Sequence, residues 1–201
     1  MRRTKEEADK TREKIFRAAL HTFSEKGFAA ARMTDVAEAA GVTRGAIYWH
    51  FASKEALIKE IVSRLSSYYD ELARMVATEG EPFLVSLRQV IVSLLRRFAE
   101  DEEWRAMQEL FMRSVFRREW ENGCRDMPAA VDPGSLEALE RAMRKGAIYG
   151  DWTPRSARLC LASAISGAFL QILDRGEFIT EEEIEHIADF VVRGFEPQGQ
   201  Q

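Results

Sequence analysis

The sequence predicts an all-α protein of about nine helices. Apolar residues recur at helical spacing along nearly all of the 201 residues, and no segment shows the alternation of a half-buried strand. Breaks that contain Gly or Pro divide the chain into pieces of helical length. We expect an N-terminal three-helix domain, residues 1–54, joined by a long fourth helix to a helical domain of residues 55–201.

Four helices are predicted in the first 80 residues. The first covers about residues 5–26 and stops at Gly27. The second begins at Thr34 as its N-cap and stops at Gly41. Thr43 then caps a short third helix that runs from Arg44 to about Phe51, and Ser53 caps a long fourth helix. The turn between the second and third helices, residues 41–43, is short and contains glycine, as in a helix-turn-helix.

Five more helices are predicted after the break at residues 79–82. The fifth carries the apolar stripe of Leu84 to Phe98, and the sixth carries that of Trp104 to Val115. A loop is expected over residues 122–134 and a seventh helix from Leu136 to about Tyr149. Thr153 and Pro154 start an eighth helix that ends near Leu173, and an amphipathic ninth helix follows an acidic first turn, residues 181–183.

The net charge of −4 is distributed unevenly. Residues 1–54 contain 11 Lys or Arg and 7 Asp or Glu, a net charge of +4, so the rest of the chain carries −8. A basic N-terminal segment therefore precedes an acidic body. This asymmetry favours a polyanionic partner for the N-terminal segment alone.

Several classes of protein are disfavoured. The apolar runs are too short for a transmembrane helix and the N-terminus lacks a signal peptide, so we expect a cytoplasmic protein without a membrane partner. Cys124 and Cys160 form no CxxC or zinc pattern, so we expect two reduced thiols in a helical interior or at its edge, with no metal and no cofactor. Sequence motifs of common catalytic sites are absent and the three histidines are far apart, so no catalytic residue is predicted.

The third helix contains four consecutive bulky residues, YWHF at 48–51, which must point in different directions. Ile47 and Phe51 can close onto the core, which leaves Arg44 and Tyr48 facing away from it, flanked by Trp49 and His50. Such a face suits a nucleic acid, because Arg can bind a guanine edge and Tyr or His can donate to phosphate.

Three residues of the third helix, Gly45, Trp49 and His50, also have structural explanations. Trp49 would then pack against the fourth helix and His50 would be a structural hydrogen-bonding group. Gly45 would either let the helix backbone lie close to DNA or simply be tolerated in a short helix at about 1 kcal/mol.

The segment TDVAEAAGVTRGAIYWHFASKEAL, residues 34–57, resembles the DNA-binding signature of the TetR (tetracycline-repressor) family. The opening RRTKEEADKTREKI is similar to the arm and first helix of the AcrR-like branch of multidrug-efflux repressors. This resemblance implies a transcriptional repressor that binds a palindromic operator as a homodimer and is released by a small molecule. It places Thr34, Tyr48, His50 and Lys54 at phosphate contacts, Thr43, Arg44 and Gly45 in the groove, and Trp49 at a position that is often aromatic in the family.

A DNA-binding dimer needs an interface in its body, and the eighth and ninth helices are the candidates. The run LASAISGAF, residues 161–169, is apolar or small almost all the way round, which predicts burial on most sides. The alternative is that this helix forms the centre of a monomeric core. The predicted interface residues are Ala162, Ser166, Gly167, Ile187 and Val191.

A ligand site is expected among the fifth to eighth helices, because polar residues inside an apolar stripe need partners. The predicted ligand residues are Phe98, Trp104, Gln108, Phe111, Ser114 and Phe169, each of which is otherwise explained as core packing. We expect an apolar or aromatic inducer, and the resemblance to the AcrR-like branch implies control of a multidrug efflux gene. Arg105, Arg113, Arg117 and Arg118 keep a second interpretation open, a sensor of an acyl-CoA or lipid that controls metabolic genes; otherwise they form a solvated face.

Overall fold

A computed structural model describes residues 5–77, 82–115, 133–175 and 179–196. These described ranges contain nine α-helices and no strand, which confirms the all-α prediction. The helices are α1 (Lys5–Lys26), α2 (Met33–Ala39), α3 (Arg44–His50), α4 (Lys54–Ala77), α5 (Phe83–Glu100), α6 (Glu102–Val115), α7 (Pro133–Arg144), α8 (Pro154–Arg175) and α9 (Glu181–Arg193).

The chain forms two compact units, one of residues 1–65 with 103–128 and the other of residues 66–102 with 129–201. In the first unit α1 packs on α2 and α2 packs on α3. Its core includes Ile15, Phe16, Phe23, Val36, Ile47, Phe51 and Leu57, all nearly inaccessible to solvent. The domain boundary between residues 54 and 55 stays a prediction.

The turn between α2 and α3 is a Schellman motif. Gly41 N–H donates to Glu38 C=O, and Val42 N–H donates to Ala37 C=O, each at 2.9 Å. Gly41 has φ of 57°, a left-handed conformation that glycine adopts without strain. This turn fixes the direction in which α3 leaves α2, as the helix-turn-helix prediction requires.

Three predicted N-caps can be compared with the structure. Thr43 Oγ1 accepts the Ala46 amide at 3.2 Å, and Ser53 Oγ accepts the Ala56 amide at 3.3 Å, so these two caps are confirmed. The predicted Thr34 cap is wrong, because Arg32 is the N-cap of α2 and its amide donates to the Asp35 carboxylate at 2.8 Å. That hydrogen bond lowers the pKa of Asp35. Thr34 is instead the second residue of α2, and its side chain is exposed.

In the second unit α5 packs on α8 and α9, and α7 packs on α8. Ion pairs supplement the α5–α9 contact, since Arg88 binds Asp189 at 2.6 Å and also Glu185, and Arg96 binds Glu181. Helix α9 begins with a capping box in which the Thr180 hydroxyl and the Glu183 carboxylate satisfy each other's backbone amides.

Helix α7 differs from its prediction at both ends. It begins at Pro133 rather than Leu136, so the predicted loop loses its last two residues to the helix, and proline is favoured at a first helical position. It ends at Arg144 rather than near Tyr149, because Gly146 has φ of 67° and forms a second Schellman turn. The rest of the predicted loop lies outside the described residues.

Helix α8 starts at Pro154 behind Thr153 as predicted, and Thr153 Oγ1 accepts the Ser156 amide at 3.1 Å. Its span Pro154–Leu173 has a mean hydropathy of 1.4, yet only 11% of that stretch is buried. It thus meets the length and composition criterion for a membrane span, a criterion that core helices of soluble proteins and signal sequences also meet. Cys160 is exposed on α8, so of the two expected placements, interior or edge, the interior one is wrong for it, and Cys124 lies outside the described residues.

Replacing Gly41 by Ala is expected to destabilise the protein by about 1 kcal/mol, because a Cβ is strained at φ of 57°. Urea unfolding followed by circular dichroism measures this change. Gly45→Ala is the matched control, since Gly45 lies inside α3 with no atom within 4 Å of an added Cβ and should be neutral or stabilising. Equal effects of the two substitutions would contradict the assignment of the turn.

Candidate nucleic-acid interface

The outward face of α3 is set by two buried residues. Ile47 is fully buried and Phe51, the C-cap of α3, is 2% exposed, so both close onto the core as predicted. At about 100° per residue, Gly45 and Trp49 each lie about 160° around the helix from Ile47. These two positions therefore form the centre of the face that points away from the core.

The hydrogen-bonding side chains predicted for DNA contact lie beside this centre. Arg44 and Tyr48 are one helical turn apart and exposed, and Thr34 is exposed on α2. Within the described part of the chain these three side chains make no hydrogen bond or ion pair, whereas Thr43 caps α3. Their donors are thus available to an external partner.

Trp49 and His50 complete the predicted set on α3. Trp49 is 71% exposed, so the alternative that it packs against α4 is wrong. Its ring meets the His50 ring edge to face, with centroids 4.5 Å apart and an interplanar angle of 88°. The His50 ring is half-buried and its backbone carbonyl is held by α1, so His50 combines a surface position with a structural contact.

Gly45 is exposed, has no positive φ, and an added Cβ would meet no atom within 4 Å. The fold therefore places no steric demand for glycine at this position, where alanine would favour the helix by about 1 kcal/mol. An external surface that approaches the backbone of α3 would account for glycine here.

Lys54 has a different environment from the one predicted. Its ammonium group donates to the backbone carbonyls of Phe28, Ala29 and Ala31 at 2.6, 3.3 and 3.0 Å, and it lies 4.3 Å from the centre of the Phe28 ring. These contacts tie the start of α4 to the loop after α1. The predicted phosphate contact of Lys54 stays a prediction, and the structure gives the residue a positioning role.

Arg12, which the sequence did not single out, holds the C-terminal end of α3. Its guanidinium donates to the His50 carbonyl at 2.9 Å and to Glu60 at 2.8 Å, and it lies 4.2 Å from the centre of the Phe51 ring. A cation at a helix C-terminus is favourable because the terminal carbonyls carry partial negative charge. Arg12 thereby joins α1, α3 and α4.

Arg64 is the centre of a second ionic cluster. It pairs with Glu13 at 2.8 Å, with Glu60 at 3.2 Å and with Glu103 at 3.3 Å, and its guanidinium lies 3.7 Å from the centre of the Phe16 ring. The hydrogen bond from Arg64 lowers the pKa of Glu13, and that same bond to Glu13 raises the pKa of Arg64. Only the Glu60 and Arg64 pair was readable from the sequence, as an i, i+4 spacing.

Glu103, near the start of α6, also binds Arg17 of α1 at 2.8 Å. Within the first unit it therefore connects α6 to both α1 and α4. None of these partners is close to Glu103 in sequence, so periodicity gave no signal for this contact.

The predicted ligand residues are placed as follows. Phe98 and Phe169 stack in the second unit, with centroids 4.2 Å apart and an interplanar angle of 10°. Trp104 and Gln108 belong to the first unit and are buried, and Phe111 is half-buried. The side chain of Ser114 lies outside the described residues. The six-residue ligand set therefore stays a prediction.

Residues 15–61 match the family model described as bacterial regulatory proteins, tetR family. The chain is 33% identical over 172 residues to the HTH-type transcriptional regulator TtgR of Pseudomonas putida, an alignment that covers 83% of this chain and 82% of TtgR.

Two of the solved structures with a similar fold have sequences that are more than 25% identical to this chain. NalD, described as the secondary repressor of the MexAB-OprM multidrug efflux pump in Pseudomonas aeruginosa, superposes with a TM-score of 0.75 at 28% identity, covering 94% of this chain and 98% of NalD. SmeT, in its complex with triclosan, gives a TM-score of 0.77 at 26% identity, covering 94% of this chain and 93% of SmeT.

Replacing Arg64 by Met is expected to lower the free energy of unfolding by about 1–2 kcal/mol at pH 7, between the values for exposed and buried ion pairs. Because the folded-state pKa of Glu13 lies below its usual 4.5, this contribution is present above pH 4.5 and is lost as the pH falls below it. The difference between wild type and Arg64→Met should therefore shrink between pH 5 and pH 3, roughly where carboxylates protonate. Thermal unfolding across that range measures it.

Lys10→Met is the control, since Lys10 pairs with Glu6 on the exposed side of α1. A change below about 0.5 kcal/mol is expected for it at every pH. A stability difference for Arg64→Met that did not vary with pH would contradict the role of Glu13.

Proposed function

This chain belongs to the TetR family of bacterial regulatory proteins, and from this premise we propose that it is a repressor that binds a palindromic operator as a homodimer. A small, mostly apolar molecule releases it from DNA, and the regulated gene encodes a multidrug efflux system. The protein acts in the cytoplasm, where duplex DNA and the inducer are both accessible.

One observation carries the DNA-binding part of this proposal. The face of α3 opposite the core presents the unengaged donors of Arg44 and Tyr48 beside the bare backbone of Gly45 and the exposed ring of Trp49. Arg can form two hydrogen bonds with a guanine edge, and a tyrosine hydroxyl can donate to phosphate. Such a short helix held by its neighbours is suited to lie in a major groove.

The efflux assignment is supported by what is known of similar proteins. NalD is described as a repressor of a multidrug efflux pump, and the structure of SmeT is a complex with triclosan, a small aromatic molecule. The acyl-CoA interpretation gains less support, because the Arg113 side chain is exposed and pairs with Glu109 at 2.6 Å. Arg117 and Arg118 lie outside the described residues.

The dimer proposal is supported by apolar side chains that α8 and α9 leave exposed. Leu159 is 65% exposed, Leu170 45% and Phe190 78%, and an added Cβ at Gly167 would meet no atom within 4 Å. These positions on α8 follow one stripe together with the predicted Ala162 and Ser166. The described residues of a single chain leave this stripe exposed, which favours an interface between two copies over the centre of a monomeric core.

The predicted positions on α9 are less exposed. Ile187 is half-buried and Val191 is 8% exposed within the single chain. We therefore propose Phe190, between them in sequence, as the α9 side chain that contacts the partner. A second copy is the proposed occupant, because two half-sites in one operator require two α3 helices at a fixed spacing.

Selection of duplexes from a random-sequence pool by the full-length protein tests the proposed function. An inverted repeat is expected, with half-site centres about 10 base pairs apart or at a multiple of that spacing. Addition of triclosan should then lower the fluorescence anisotropy of a labelled selected duplex bound to the protein. Failure to enrich any sequence would contradict operator binding, and enrichment without release by triclosan or other apolar aromatic compounds would contradict the ligand class.

Gly45→Ala is expected to weaken binding to the selected duplex by about tenfold or more while leaving the fold as stable as wild type or more so. The added methyl group would stand between α3 and the groove, whereas within the chain it meets open space. Anisotropy titrations and urea unfolding on the same samples measure both quantities. Unchanged DNA affinity would show that Gly45 does not face the groove.

Phe190→Glu is expected to convert the dimer to a monomer, because a carboxylate would be buried at the apolar interface. Sedimentation velocity at micromolar concentration measures the mass. Val85→Glu is the control, since Val85 is 42% exposed on α5 and outside the proposed interface. A Phe190→Glu protein that remains dimeric would exclude this face.

A further inference from the structure

The outward face of α3 consists of two stripes with different chemistry. Arg44 and Tyr48 form a stripe of hydrogen-bond donors, one helical turn apart. Gly45 and Trp49 form a neighbouring stripe, also one turn apart, that offers open backbone surface and a large aromatic ring. The second stripe is opposite the buried Ile47, so it projects furthest from the core.

Trp49 gives the folded chain little stability, since 71% of it is exposed. Burial of an indole is strongly favourable, so an indole that is exposed on a helix face indicates an external apolar contact. Its orientation is restricted by the edge-to-face contact with the half-buried ring of His50. The Trp49 ring therefore has a contact within α3 and remains largely uncovered.

The space next to this ring is also open. Helical side chains generally tilt toward the N-terminus of their helix, and in α3 this is the direction from Trp49 toward the turn that contains Gly45. Apart from its chain neighbours and the adjoining backbone of α3, no atom lies within 4 Å of an added Cβ at Gly45. Gly45 thus leaves open space at the centre of the face, one turn before Trp49.

Duplex DNA presents one apolar group in the major groove, the C5-methyl group of thymine. We propose that Trp49 is a specificity-determining residue that packs against a thymine methyl group in each half-site, with that methyl group seated in the open space beside Gly45. This inference rests on the proposed function. Recognition of the operator would then be divided between hydrogen bonds made by Arg44 and an apolar contact made by Trp49.

The test uses the duplex that the full-length protein selects from the random pool. Each thymine of one half-site is replaced singly by deoxyuridine, which removes only the methyl group, and affinity is measured by anisotropy at constant salt. The proteins compared are wild type, Trp49→Ala, Trp49→Phe and, as a control on the neighbouring stripe, Tyr48→Phe. Circular dichroism establishes that each variant is folded, which the exposure of Trp49 predicts.

When deoxyuridine replaces one particular thymine of the half-site, the affinity of the wild-type protein should fall about fourfold. This factor corresponds to about 0.8 kcal/mol for one buried methyl group. Tyr48→Phe should bind more weakly overall and keep that fourfold loss. Trp49→Ala should bind the thymine and deoxyuridine duplexes equally, and Trp49→Phe should retain part of the difference. In a further duplex this T·A pair is changed to C·G. Replacing its cytosine by 5-methylcytosine should then raise the affinity of the wild-type protein but not that of Trp49→Ala.

Two results would overturn the inference while leaving the proposed function intact. In one, no deoxyuridine substitution weakens wild-type binding. In the other, Trp49→Ala binds every duplex more weakly than wild type by the same factor and still shows the full fourfold loss when deoxyuridine replaces the thymine. That result is expected if Trp49 contacts a sugar or a phosphate. If wild type enriches no sequence, the proposed function itself fails.

Discussion

The rotation of α3 about its own axis is the constraint on which the interface depends. Burial of Ile47 and Phe51 fixes that rotation, because turning the helix by one residue position would bring Ile47 into solvent and Tyr48 toward the core. With the rotation fixed, Gly45 and Trp49 must project away from the core. The chemistry of the face then follows from which residues occupy the remaining positions, and the core itself places few demands on them.

Apolar burial sets the rotation of α3, and ionic contacts hold its ends and neighbours. Arg12 binds the last carbonyl of α3 and a carboxylate on α4, and Lys54 binds three carbonyls of the loop after α1. Each cation is partly buried and its polar atoms are matched by several acceptors, which offsets the loss of hydration. Such contacts are directional, so they restrict position more than an apolar contact would. Cations of a DNA-binding unit therefore serve its architecture as well as its partner.

The local parts of this arrangement could be predicted from the sequence. Thr43 and Ser53 as caps, Gly41 at the turn and Ile47 with Phe51 in the core all follow from spacing and residue type. The roles of Arg12, Lys54 and Glu103 could not, because their partners are 23 or more residues away and a charged side chain has many possible partners on a folded surface. Thr34 failed as a cap for a related reason: Asp35 reaches back to the Arg32 amide and shifts the start of α2. Helix α7 ends at Arg144 rather than near the predicted Tyr149 because the left-handed Gly146 closes a turn there, and apolar spacing alone does not mark such a turn.

Helix α3 is a poor helix by its own composition, and this has a consequence for function. It spans seven residues, includes a glycine and leaves an indole and a phenol in solvent, so propensity alone would not maintain it. Its stability comes from the Thr43 cap, the buried Ile47 and the Arg12 contact, none of which uses the outward face. Residues on that face are consequently free to vary with the sequence that they recognise, provided that the inward contacts persist. This separation of the two faces explains how a helix too weak to form alone can carry a rigid recognition surface.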